Sequence, residues 1–219
     1  MTTVRLSGNT LSEACRRLAA SDRNMARLFR RHGPPPLWRR RAGFRCLIQI
    51  VLEQQVSLAS GRATLRRIEN AFGRISATSL AGAGEPGLRA AGVTRQKAHY
   101  CVSLAEASRR GELDLRIVAR APDDEAMDML TQFKGIGRWT AEVYLLMALL
   151  RPDVWPAGDL ALAKAVQGLH GLPERPREEQ MREVAEPWRP FRAVAARLLW
   201  QDYLSRRADS GAAGTVGGG

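Results

Sequence analysis

The chain has 219 residues, 45% of them hydrophobic, which suits one domain or two packed lobes and excludes a largely disordered chain. Its 34 Lys and Arg against 22 Asp and Glu give a net charge of +12, a balance that draws polyanions, nucleic acid foremost, although a merely basic protein shares it. No apolar run of about 18 residues is present to span a membrane, residues 1–11 lack a secretion-signal layout, and three scattered cysteines (Cys15, Cys46, Cys101) fit a reducing cytoplasm rather than a disulfide scaffold, zinc site or iron–sulfur cluster.

Helical periodicity runs from the N-terminus onward. Residues 11–20 and 22–31 predict two short amphipathic helices, stopped by Gly33 and prolines 34–36. Residues 44–57 form a long apolar stretch, and 62–72 continue as an amphipathic helix ending at Gly73. Short turns are expected around residues 82–87, then a helix over 94–110 with Lys97, Arg109 and Arg110 outward. Residues 125–133 lead into a glycine-containing turn. Residues 138–150 are apolar on nearly every side, the mark of a helix at the centre of a fold. Helices over 160–169, near 177–186 and over 191–205 follow. No segment shows strand alternation, so the fold class is all-α. The tail, from about residue 208, reads as a flexible small-residue linker.

The stretch over 130–148, LTQFKGIGRWTAEVYLLMA, reads as helix, tight turn, helix. Gly135 and Gly137 flank Ile136, whose side chain plugs the core while the glycines hold positive φ and admit another backbone closely. Successive amides ahead of a helix N-terminus form an anion site suited to a DNA phosphate, and Lys134 and Arg138 add charge. A bare GxG is more often an ordinary αα-hairpin, so the turn alone decides nothing.

The run FKGIGRWTAE closely resembles the helix-hairpin-helix of the HhH-GPD DNA glycosylase superfamily, usually written with a Pro-Gly-Ile-Gly turn. Its GRWTA ending looks most like the 3-methyladenine DNA glycosylase II family. Lys134 replaces the usual Pro, giving up turn rigidity and adding a phosphate contact. The run WPAGDL (155–160), whose Asp159 lies twenty-two residues past Gly137, is similar to the family's catalytic-aspartate segment. LEQQVSLASGRA (52–63) is similar to the helix end that presents its DNA-inserting residue; GVTRQKAHY (92–100) and WRPFRAVAARLLW (188–200) look like that family too. The likeness spans roughly 34–204 in family order and implies a two-lobed helical domain over 1–207. Lobe A would hold about 42–150, and lobe B about 10–41 plus 151–207. The N-terminal β-rich domain of some relatives has no counterpart.

The resemblance gives Asp159 the catalytic role. Breaking an N-glycosidic bond passes through an oxocarbenium-like state, which a fixed carboxylate stabilises. Asp before a helix is also a preferred N-cap; the roles coexist, since amides of its own helix would hold it ionised. Electrostatic stabilisation is the favoured role, water orientation the second. Lyase-competent relatives place a nucleophilic Lys two residues after the second hairpin glycine, where this chain has Trp139. The expected reaction is therefore base removal alone, leaving an abasic site. One acid suffices when the leaving base is already cationic, as N3-alkyladenine and N7-alkylguanine are, and a cation over an aromatic face gains roughly 0.5–2 kcal/mol. Trp139 and Trp200 match the family's pocket aromatics, while Tyr144 and Trp155 either join them or fill the core. Val143 and Leu160 stand where the family usually has further aromatics, which puts the substrate spectrum in doubt.

The target base must leave the duplex, and by match Gln55 fills the gap, with Gln54 and Ser57 beside it; a solvated helix end is the plainer reading. Lys134, Gly135, Ile136, Gly137, Arg138 and Thr140 would meet the phosphates. Arginines 39–41, with Arg27, Arg30 and Arg31, would grip flanking phosphates or stay solvated. Main-chain carbonyls of Thr131, Phe133 and Ile136 match the family's hairpin site for Na+ or K+; no cofactor serves catalysis. The expected partner is double-stranded DNA carrying a damaged base, bound by a monomeric, nucleoid-associated cytoplasmic protein. Three other readings stay open: a non-catalytic helix-hairpin-helix DNA-binding module, a bifunctional oxidised-base glycosylase, and an α-helical protein–protein adaptor.

Overall fold

Short polar side chains set most helix starts by taking up amides that a helix N-terminus leaves without partners. The computed structural model describes residues 5–213. Ser7 caps α1 (Gly8–Ser21), and Asp22 closes α1 and caps α2 (Arg23–His32) through the Asn24 and Met25 amides. Gly33, at φ 69°, turns the chain into the Pro-rich stretch that carries Trp38. α3 (Phe44–Glu53) stops short of the expected end at 57, because Ser57 is the N-cap of the next helix, α4 (Leu58–Phe72). The turns expected around 82–87 lie instead within α5 (Ala77–Ala90). There the break is confined to Gly84 (φ 61°), and Pro86 falls in the first turn of the second helical run, where a missing N–H is tolerated.

α6 (Arg95–Arg109), the single-turn α7 (Leu115–Val118), α8 (Asp123–Thr131), α9 (Arg138–Met147), α10 (Leu160–His170) and α11 (Glu178–Ala185) follow. α12 (Arg192–Ala213) runs past the boundary expected at 207, carried on by helix-favouring Arg and Ala with no proline to stop it. The rest of the expected tail, 214–219, lies outside the described residues. Among these there is no strand, and no helix is long and apolar enough to cross a membrane.

The chain divides into two compact units, Arg39–Leu149 and the segments flanking it on both sides. In the first, α3 packs beside α9, burying Ile48, Leu52 and Leu145. Gly61 lets α4 lie close on α3, since a Cβ there would stand 2.6 Å from Glu53 Cγ. In the second unit α12 packs on α2 and α10. Its start is fixed by Asp153, which accepts from both the Arg192 amide (3.2 Å) and its guanidinium (2.9 Å). All three cysteines are buried, and burial pushes their thiols up to about 12 for Cys15 and Cys101 and about 11 for Cys46.

Gly61→Ala forces Glu53 and α3 away from α4. Overpacking of this kind costs about 1–3 kcal/mol, so thermal melting of the variant is expected to show a midpoint several degrees lower.

Candidate functional site

The hairpin between α8 and α9 owes its shape to one glycine. Gly135 holds φ 94°, and a Cβ on it would fall 2.5 Å from the Tyr100 ring at Cγ. Gly137 differs from expectation. Its φ is −82°, which any residue adopts, and a Cβ there would meet open space. It is the N-cap of α9 without a side-chain cap, and a helix start is where an anion is favoured. Ile136 is buried in the core. Lys134 and Arg138 are exposed, Arg138 leaning back onto buried Glu142 at 3.0 Å.

Thr140 and Gln54 do not face outward with them. Thr140 is buried, and its hydroxyl accepts the Gln54 side-chain amide at 2.8 Å. The same amide donates to the Gly135 carbonyl at 2.9 Å. Gln54 is the C-cap of α3, and its length lets it reach the hairpin rather than solvent. Gln55, next in the chain, is exposed and held at φ 56°, a left-handed conformation costing a non-glycine residue about 1–2 kcal/mol. Exposed Val56 and Leu58 flank it, apolar neighbours that sequence reasoning passed over. Ser57 is exposed, its hydroxyl accepting the Ser60 amide. Lys97, expected outward, instead turns in and donates to the carbonyls of Leu52 (2.8 Å) and Gln54 (2.6 Å). Burial lowers its pKa. Of the arginines 39–41, Arg40 is withdrawn from any phosphate role by its pair with buried Glu53 at 2.7 Å; Arg39 and Arg41 are exposed. Arg27, Arg30 and Arg31 are exposed as well.

Asp159 lies in the other unit, at the N-cap of α10. Its Oδ1 accepts the Leu162 amide at 2.8 Å and the Trp200 indole N–H at 3.1 Å. Two donors from different directions fix the carboxylate's orientation. Trp200, 8% exposed, packs edge-on against Trp38 with centroids 6.4 Å apart. Trp38 itself holds φ 43°, and the carbonyl before it, that of Leu37, accepts from the buried Arg197 guanidinium, whose pKa burial pulls down to about 10. Trp38 had no signal beyond being a tryptophan in a proline-rich stretch. Leu160, directly after Asp159, is 62% exposed.

Two expected pocket aromatics are core residues. Tyr144 is wholly buried in α9; its hydroxyl accepts the Gly43 amide at 3.1 Å, and burial pushes its pKa up to about 12. Trp155 is buried against Trp188, centroids 5.4 Å apart. Both sit in densely apolar segments whose interior positions the core claims first. Trp139 is half-buried near the start of α9, and Val143 is buried. No group of three or more His, Cys, Asp or Glu that would hold a metal ion occurs among the described residues.

Residues 48–190 match the family model of the HhH-GPD superfamily base excision DNA repair proteins. The chain belongs to that superfamily. It is 39% identical over 123 residues to DNA-3-methyladenine glycosylase 1 of Schizosaccharomyces pombe, covering 56% of this chain and 53% of the relative. The solved 3-methyladenine DNA glycosylase Mag1 of the same yeast, in complex with abasic DNA, superposes with a TM-score of 0.79 at 30% identity, over 86% of this chain and 95% of that one. The 3-methyladenine DNA glycosylase of Archaeoglobus fulgidus gives 0.72 at 29% identity, over 88% and 69%. The chain spans between about one third and two thirds of the length of the curated relatives it matches.

The two hairpin glycines separate experimentally. Gly135→Ala combines positive φ with a clash and is expected to cost about 2 kcal/mol or more. Gly137→Ala should stay within about 1 kcal/mol of wild type, and denaturant unfolding of the pair measures the difference.

Proposed function

We propose that the protein is a monofunctional DNA glycosylase that draws an alkylated purine out of double-stranded DNA and hydrolyses its N-glycosidic bond. The observation that carries this is Asp159, held by a helix amide and an indole N–H, in a chain of this superfamily. Relatives that it is similar to are named 3-methyladenine glycosylases, one of them solved with abasic DNA.

As the C1′–N bond lengthens, positive charge develops on the sugar and the electron pair leaves with the base. The Asp159 carboxylate stabilises the sugar cation, water adds to C1′, and the water's proton passes to solvent. The base departs neutral without a second acid because 3-methyladenine and 7-methylguanine are already cationic while bonded. Trp139 stands at the position where lyases carry their lysine and leaves no amine for a Schiff base. The abasic strand therefore stays intact.

Trp200 does double service, as a wall of the pocket and as the donor that aims the carboxylate. The N-terminal end of α9, with Lys134 and Arg138, takes a backbone phosphate, and Gln55 fills the gap left by the base. Thr131, Phe133 and Ile136 stand at the C-terminal end of α8 and its turn, where helix carbonyls carry partial negative charge suited to Na+ or K+. The protein acts as a monomer at the nucleoid.

Base release from methylated duplex DNA, with fragments resolved before and after alkali, tests the reading. Wild type should release 3-methyladenine or 7-methylguanine and show strand breaks only after alkali. Asp159→Asn keeps the N-cap, because Asn caps as well as Asp, yet should lose at least about 100-fold in turnover with DNA binding intact. A variant as active as wild type takes the catalytic role from Asp159, a wild type that releases no base returns the chain to a plain DNA-binding module, and breaks before alkali make it a lyase. Trp200→Phe removes the indole donor alone; single-turnover rates should fall about tenfold with little change in DNA affinity.

A further inference from the structure

The turn between α3 and α4 is bound at both ends by side chains that the proposed chemistry does not use. Lys97, from α6, donates to the Leu52 and Gln54 carbonyls at 2.8 and 2.6 Å, closing the C-terminal end of α3, where carbonyls lack helical partners and a cation is favoured. Gln54 sends its amide to the hairpin, onto the Gly135 carbonyl at 2.9 Å and the Thr140 hydroxyl at 2.8 Å. Between these two attachments and the Ser57 cap of α4, Gln55 is left exposed at φ 56°. A left-handed glutamine persists only where its surroundings over-determine it, and the hydrogen bonds of Lys97 and Gln54 are what surrounds it here.

We infer that Gln54 and Lys97 are positioning residues that lock the Gln55 turn to the hairpin, so that gripping the phosphate and inserting Gln55 are one rigid act. The lock rests on the glycosylase reading above, because it needs a duplex to be opened. Gln54 makes no DNA contact of its own; it converts the hairpin's hold on the backbone into a fixed depth and direction for its neighbour. A rigid link of this kind matters because base unstacking costs a few kcal/mol, and a turn free to yield would retreat instead of opening the stack. Lys97 supports the same turn from beneath, its ammonium half-buried and satisfied by main-chain carbonyls rather than by an acid.

The test compares binding to a duplex with a central tetrahydrofuran abasic analogue and to the same duplex undamaged, by fluorescence anisotropy, for wild type, Gln54→Leu, Lys97→Met, Gln55→Ala and the Gln54→Leu/Gln55→Ala double variant. Gln54→Leu is expected to lower the preference for the abasic duplex about tenfold while undamaged binding stays within about twofold, and Lys97→Met should move the same ratio in the same direction. The double variant should be no worse than Gln55→Ala alone, since a lock acts only through what it holds. A loss of undamaged binding in Gln54→Leu would make Gln54 a contact or a hairpin prop, and additive losses in the double variant would make it independent of Gln55; either overturns the lock. If Gln54→Leu fails to fold, Gln54→Asn, one methylene too short for Gly135 and Thr140, takes its place with the same expectations. A wild-type chain without abasic preference sinks the glycosylase reading and the lock together, whereas wild-type preference kept in Gln54→Leu sinks the lock alone.

Discussion

Tyr100 lies so close beneath the backbone of Gly135 that no side chain fits between them, and the same residue holds the positive φ that reverses the chain from α8 into α9. The contact sets the depth of the hairpin, seats Ile136 in the core and leaves the Gly135 carbonyl aimed at the Gln54 amide. From that carbonyl the arrangement extends to the end of α3, the Lys97 ammonium and the strained Gln55 turn. The hairpin, the end of α3 and the Gln55 turn all descend from this one missing Cβ.

The second unit meets a different demand, which is to hold a carboxylate in one orientation at a helix start. The Leu162 amide and the Trp200 indole N–H both donate to Asp159 Oδ1, one from its own helix and one from α12, so the group cannot turn without giving up a hydrogen bond. The machinery behind Trp200 is ordinary packing: Trp38 on its edge, Arg197 tying down the Leu37 carbonyl, and Asp153 anchoring the first turn of α12.

Most helices were legible in the sequence because caps and hydrophobic periodicity are local signals. α5, whose glycines read as turns, and the single-turn α7 were not. Ser57, read as the last residue of an apolar stretch, is the cap of the next helix, and a single serine looks the same in both roles. The hairpin and Asp159 were legible because their motifs are short and contiguous. What escaped depends on contacts distant in sequence. Nothing near Gln54 says that its amide is turned inward to Thr140, 86 residues on. Nothing near Lys97 marks it as the cap of a helix that ends 44 residues earlier. Tyr144 and Trp155 were ambiguous for a related reason, since proximity in sequence to a site places a side chain on an element but does not choose its face.

The thiols have a chemical consequence of their own. With pKa values of about 11 to 12, their thiolate fraction near neutral pH is roughly one in ten thousand or less. Methylating agents and oxidants attack the thiolate, and burial shields the sulfur as well. Cys15, Cys46 and Cys101 are therefore poor targets for such electrophiles, and it takes unfolding to expose them.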